Sequence, residues 1–142
     1  MMFNESLITA IAQVQMTIGT ITGIKAAPAN PPDAPSGQWP LSIGFPKDGR
    51  YSGGGSAPIF GHHTVVVQIH YPRADLARAY AAVAPYVDFV AGALLADPTL
   101  SGTVTTISGE ITYTFGAMVW AGVDTIGWEF GVPIKIRYTE EA

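Results

Sequence analysis

Residues 64–71, Thr-Val-Val-Val-Gln-Ile-His-Tyr, decide the fold of this chain. Alternate side chains share a strand face, so Val65, Val67, Ile69 and Tyr71 fall on one side and Thr64, Val66, Gln68 and His70 on the other. The alternation predicts a strand in the middle of a sheet. Pro72 closes it, because proline has no amide hydrogen for the ladder. Beyond it Leu76, Tyr80, Val83, Val87, Val90 and Leu94 recur at steps of four and three, which places them on one helix face long enough to cover that sheet. Pro85 interrupts the stripe, so a kink or a break into two helices is expected near Ala84, with the end by Asp97, before Pro98.

Upstream, Leu7, Ile11, Val14 and Ile18 make Asn4 to Ile18 an amphipathic helix, with Glu5 near its start favouring the helix dipole. Thr20 to Ile24, bracketed by Gly19 and Gly23, reads as a fraying helix end or a short strand. The stretch AAPANPPDAPSGQWP, ending at Pro40, holds five of the eleven prolines and predicts an extended connector. Trp39 to Phe45 follows as a strand with Leu41, Ile43 and Phe45 on one face, and Pro40 and Gly44 mark it as edge or bulged. Pro46 to Gly61, PKDGRYSGGGSAPIFG, combines a KDGR turn signal with three consecutive glycines between two strands, the pattern of a long hairpin arm or a disordered loop. Downstream, Val104–Ile107, Ile111–Phe115, Met118–Trp120 and Gly127–Tyr138 are β-rich runs punctuated by glycine, and the last sets Ile134 and Ile136 opposite Lys135 and Arg137. The order of elements predicts an α+β fold: a mainly antiparallel sheet with helices packed on one face and a long β-hairpin arm. At 142 residues the chain is read as one domain, residues 1–142, in which 27–61 form the proline- and glycine-rich connector and arm.

Charged residues are only 13% of the chain, about half the average for soluble domains, so much of the surface must be neutral. A neutral surface is often one that another chain covers. The net charge of −4 argues against binding nucleic acid by neutralising phosphates. There is no cysteine, hence no disulfide framework and no thiolate site. No run approaches the roughly 20 apolar residues that span a bilayer, and Glu5 stands where a signal peptide would be basic, so a soluble chain without an export signal is expected.

Little in the sequence speaks for catalysis. On a strand His62 and His70 would lie roughly 26 Å apart, and adjacent His62 and His63 point to opposite faces, so they cannot converge on one ion within one chain. The carboxylates are scattered singly, no serine sits in a GxSxG elbow, and Gly53 to Gly55 lack the GK[ST] and helix of a phosphate loop. No enzyme activity, metal or cofactor is expected. Most aromatics fall in strands and read as core, whereas Tyr51 and Phe60 sit in the arm, where an aromatic can anchor a partner surface.

The run from His62 to Ile107 resembles the central block of the tail-terminator, or tail-completion, proteins of long-tailed bacteriophages. The likeness rests on the strand leading into Arg73, Asp75 and Leu76, and on Asp97-Pro-Thr-Leu100 followed by Gly102-Thr-Val104. The closing VPIKIRY resembles their final strand, so the likeness covers roughly the C-terminal 80 residues. The proline-rich connector and the triple-glycine arm depart from that pattern. The resemblance implies a structural virion protein of the tail and neck, assembled in the host cytoplasm as a homohexameric ring that ends tube polymerisation and joins tail to head. Its partners would be its own copies, the tail-tube protein and the head-side connector, with DNA passing through the lumen without sequence-specific contacts and no membrane involved. The arm residues Lys47, Arg50, Tyr51 and Phe60 would then reach a neighbouring subunit or ring. A different neck or minor capsid component, such as a head-closure or adaptor protein, is the alternative, and a small-molecule-binding or enzymatic domain a third reading.

Overall fold

The computed structural model describes residues 6–32 and 37–138. The expected helix start at Asn4 and Glu5, and residues 33–36 of the connector, lie outside them. Helix α1 (Ser6–Gly19) is followed by strands β1 (Leu41–Gly54) and β2 (Ala57–Pro72), helices α2 (Leu76–Val83) and α3 (Tyr86–Leu95), and strands β3 (Thr106–Ile107), β4 (Thr112–Trp120) and β5 (Val123–Tyr138). The sheet is antiparallel throughout, in the order β1-β2-β5, with β3 and β4 sharing the far flank of β5. This is the α+β plan with a long hairpin arm that the patterning predicts.

β2 lies between β1 and β5, and its Val65, Val67 and Ile69 face Val132, Phe130 and Trp128 of β5 across the ladder. Together with Ala10, Val14 and Ile18 of α1 and Val83, Val90 and Leu94 of the later helices they form one buried cluster. The opposite face is not wholly solvated: Leu41, Ile43, Val66 and His70 are also buried there. An apolar run on both faces thus ends up covered on both. Gly127 belongs to this tight pairing, since a Cβ at that position would meet the Ile69 carbonyl oxygen at 1.7 Å.

Thr20 to Ile24 forms turns, not a strand, closed by Thr20 and Ile21 N–H groups donating to Thr17 and Ile18. The KDGR segment is not the turn of the arm. β1 runs straight through it, because a bulge between Pro46 and Asp48 absorbs the extra residue Lys47 and pairing resumes at Asp48 with Thr64. The reversal falls instead between Gly54 and Ala57, where Gly53, Gly54 and Gly55 all take positive φ. Ile111–Phe115 and Met118–Trp120 are parts of one strand, β4, continuous through Gly116, which pairs with Gly127. Only Thr106 and Ile107 of the Val104–Ile107 run pair as β3, since Leu100 to Val104 are drawn into a chain of turns.

Pro85 breaks the helix where expected and becomes the N-cap of α3. The buried stripe nevertheless keeps helical spacing across the break, Ala79 and Val83 of α2 continuing into Tyr86, Val90 and Leu94 of α3, whereas Leu76 and Tyr80 of the expected stripe point outward. Asp75 caps α2 by accepting from the Arg78 N–H, and the Asp97 carboxylate holds the post-helix turn by accepting from the Ser101 N–H. Each supplies a side-chain acceptor to a backbone amide, Asp75 at the helix start where the first amides have no intrahelical partner and Asp97 in a tight turn.

α1 is fastened to β1 by one buried polar residue. The Gln15 amide donates to the carbonyls of Ser42 and Pro28, at 2.8 and 2.9 Å, and its oxygen accepts from the Ser42 hydroxyl at 3.0 Å. Gly44 gives it room, because a Cβ there would sit 3.1 Å from the Gln15 oxygen. Replacing Gln15 by Leu preserves volume but strips two buried Ser42 groups and the half-buried Pro28 carbonyl of their partner, at about 1–3 kcal/mol for each group that cannot rehydrate. The variant is expected to lose about 2–4 kcal/mol in urea unfolding. A loss below about 0.5 kcal/mol would show that these groups find other partners.

Candidate assembly surfaces

Two surfaces at opposite ends of the sheet stand apart from the core. β5 runs from the turn it shares with β4 to the arm, so the β1–β2 hairpin occupies one end and the β4–β5 hairpin, with the start of α2, the other.

On the arm, the face turned away from the helices carries Arg50, His62 and Lys135 in one row across three strands, with Ser52, Phe60 and Arg137 in the next. The Lys135 ammonium lies 4.3 Å from the centre of the Phe60 ring, a cation–π contact. Burial first, then the Arg50 and Lys135 charges, holds His62 below its usual value. Tyr51 points to the other face, exposed at 58% but ringed by His63 at 5.2 Å and Tyr138 at 5.6 Å. His63 Nε2 and the Tyr138 hydroxyl are 3.0 Å apart, and burial, with a hydrogen bond to Tyr51 that favours the protonated phenol, pushes Tyr138 up to about 12. Gly61 is required beneath this cluster, because a Cβ there would lie 2.4 Å from His63 Nε2.

Of the four arm residues singled out by sequence, the structure therefore brings Arg50 and Phe60 to one face, turns Tyr51 to the other, and places Lys47 at the bulge. Lys135 and Arg137, which complete the cationic face, stand out in the sequence only as the residues opposite Ile134 and Ile136 on the last strand. Nothing in their own segment reveals that β5 lies beside the arm; that follows from the β2–β5 register.

At the other end β4, TYTFGAMVW, contains no charged residue and hydrogen-bonds only to β5 among the described residues. Tyr113, Phe115, Ala117 and Val119 alternate on its helix-side face, where Phe115 meets the Tyr80 ring at 5.4 Å and the Trp128 ring at 4.7 Å. With Leu76 they form a strip in which Tyr113, Val119, Leu76 and Tyr80 are 51–63% exposed. Of the ten exposed large apolar side chains among the described residues, five lie here. Edge strands are normally guarded by charge, proline or a bulge. β1, the opposite edge, has all three in Lys47, Asp48, Arg50, Pro46 and its bulge, whereas β4 has none.

The histidines do not converge. His62 faces out, His63 belongs to the tyrosine cluster, and His70 is buried between Thr125 and Gln68; among the described residues no group of three His, Cys, Asp or Glu side chains could hold a metal. No helix among the described residues is long and apolar enough to cross a membrane. No protein-family model matches the chain, and neither does any curated protein sequence.

His70 is the buried titratable group of the face away from the helices. Its Nε2–H donates to the Gln68 carbonyl oxygen at 2.8 Å, so Nδ1 accepts from the Thr125 hydroxyl at 2.6 Å, and the Gln68 amide passes on to Glu129 at 2.9 Å. The ring is satisfied as a neutral imidazole, and burial, partly opposed by Glu129, pushes its pKa down to about 4 from 6.5. Because the folded state resists the proton, this group's contribution is fully present above about pH 6.5 and is lost as pH falls toward about 4. The wild type should lose on the order of 2–3 kcal/mol more than His70→Gln over that window, read from urea unfolding at several pH values. Parallel pH profiles for the two proteins would exclude His70 as the source.

Proposed function

We propose that the chain is a structural virion protein of the tail-terminator kind: a homohexameric ring at the head-proximal end of a phage tail tube, which stops tube growth and joins tail to head. The observation that carries this reading is the uncharged β4 edge with its apolar strip. A nine-residue edge strand with free backbone groups and exposed aromatics is an association hazard for a chain that acts alone. It is well suited to a subunit whose edge is covered on assembly. The arm at the opposite end gives the chain a second, chemically different contact surface. Two unlike surfaces favour head-to-tail contacts, which close into a ring when the rotation between neighbours permits. A ring whose outer face differs from that of the tube accepts no further layer, so termination needs geometry and no reaction. The proposed neighbours are the tail-tube protein and the head-side connector. The hexamer number and these partner identities come from the resemblance of the His62–Ile107 block to that family.

Native mass spectrometry of the full chain, alone and mixed with tail-tube protein, tests the reading. A hexamer, alone or only with the tube, is the expected result. A monomer that ignores the tube and binds only a head-side component or a small ligand overturns it.

Two variants locate the contacts. Val119→Lys places a charge on the exposed edge and should leave urea stability within about 0.5 kcal/mol of wild type, because Val119 is 63% exposed, while weakening self-association at least tenfold. Replacing residues 50–62 by an Asn-Gly turn shortens the arm in register, since Gly49 pairs with His63, and removes no member of the main buried cluster, so the chain should still fold cooperatively but fail to assemble. Loss of cooperative unfolding in the shortened chain would make the arm part of the core structure.

A further inference from the structure

The charge of this chain is segregated, and the segregation is visible only after folding. Among the described residues, Lys47, Arg50, Lys135 and Arg137, four of the seven Lys and Arg residues of the chain, lie in the arm or on the strand beside it, against one described carboxylate, Asp48. The rest of the described surface carries six carboxylates against three cations. The arm is thus a cationic extension on an acidic body.

We propose that the outward face of the arm, bearing Arg50, Lys135, Arg137 and Phe60, seats on the exposed side of α3 of a neighbouring copy of this chain. The inference rests on the ring reading and names one contact within it. Two observations select α3, and a third adds to them. Asp88, in its first turn, is exposed and makes no hydrogen bond or ion pair with any described residue. Its last turn, like those of α1 and α2, contains no basic residue, so the negative end of its dipole adds to the attraction without singling this helix out. Between them Phe89, at 54% exposure, and Gly92 and Ala93 line an open apolar groove with Ile21, which an aromatic such as Phe60 can cover.

The spacing agrees. Seven residues of helix from Asp88 to Leu95 span about 10 Å at 1.5 Å per residue. On the arm, two strand spacings separate Arg50 from Lys135, also about 10 Å, and Arg137 lies a further two residues along its strand. The apolar strip at the α2 end is the poorer seat, because Arg73 and Arg78 there are balanced by Asp75 and Asp124 and leave no net charge to attract the arm. A polyphosphate is the poorer occupant, because the acidic body would repel it once it extended past the arm. The contact joins an outward sheet face to a helix face, so it is heterologous.

The experiment is sedimentation velocity of the full chain, with and without tail-tube protein, at low and high salt. Wild type is compared with Arg50→Glu/Lys135→Glu, with Asp88→Lys, with the three changes combined, and with Arg73→Glu/Arg78→Glu as a control of equal charge change. Circular dichroism checks that each variant folds. The expected result is that the arm pair and Asp88→Lys each weaken assembly at least tenfold, the combination recovers most of the loss, and the control changes it less than threefold. Wild-type assembly should also weaken with salt. Assembly unchanged by the arm pair overturns this contact and leaves the ring reading standing, and so does an Asp88→Lys variant that neither weakens nor rescues. Wild type that stays monomeric throughout overturns the ring reading itself. Retention of a DNA duplex that the arm pair abolishes, with assembly unaffected, assigns the face to a polyphosphate and overturns the proposal.

Discussion

Fourteen consecutive residue pairs between β2 and β5, from Ile59 opposite Tyr138 to Pro72 opposite Thr125, are the constraint on which the rest of the molecule depends. They place Val65, Val67 and Ile69 beside Val132, Phe130 and Trp128 under the helices, and a one-residue slip would send that set to the other side of the sheet. They also fix what happens at both ends. Because these strands are longer than the helical layer needs, each projects beyond it and serves as the inner half of a hairpin, β2 for the arm and β5 for the β4 strip. Both candidate surfaces are therefore extensions of the core pairing and inherit its rigidity.

This explains which features were legible in sequence. Alternation in Thr64–Tyr71 and in VPIKIRY reports burial directly, because a strand's period does not depend on its partner, and proline at 72 and 85 acts through its own missing amide. What could not be read depends on pairing or rotation. KDGR resembles a turn locally, yet its glycine and charged neighbours serve a bulge once β2 supplies the opposite ladder. Leu76 and Tyr80 stand at helical spacing from Val83, but so does Ala79, and spacing alone does not say that Ala79 is the one that turns inward with Val83 and Tyr86. Gly116 reads as punctuation between two runs, yet it continues a strand, paired with Gly127. The cationic face was hidden for the same reason: Arg50 and Lys135 belong to distant segments that only β2 brings into one row.

A low content of charge takes on a different meaning once its placement is known. A net charge of −4 spread evenly would disfavour every anionic partner and every close approach of identical copies. Gathered as a cationic arm on an acidic body, the same residues favour one relative orientation of two copies over others, while the uncharged β4 edge adds an attraction that salt does not screen. Hydrophobic edges supply affinity with little directional preference, and segregated charge supplies orientation. A closed ring needs both, since an apolar edge alone would pair in whichever register buried it best.

The tyrosine cluster at the base of the arm bears on how such a contact could form. A free hairpin would lose conformational entropy on docking, which opposes association. Here Tyr51 packs against His63 and Tyr138, and the His63–Tyr138 hydrogen bond ties β2 to the last residue of β5 that the structure describes. The arm is thereby held in line with the sheet before any partner arrives, and its outward face is presented in one orientation. Gly61 and Gly49 are the cost of that arrangement, because a side chain at either would collide with His63 and pry the cluster open. Tyr51, one of the two aromatic residues that the sequence offers as anchors on the arm, packs against its own chain while staying more than half exposed, and Phe60, the other, lies on the opposite face.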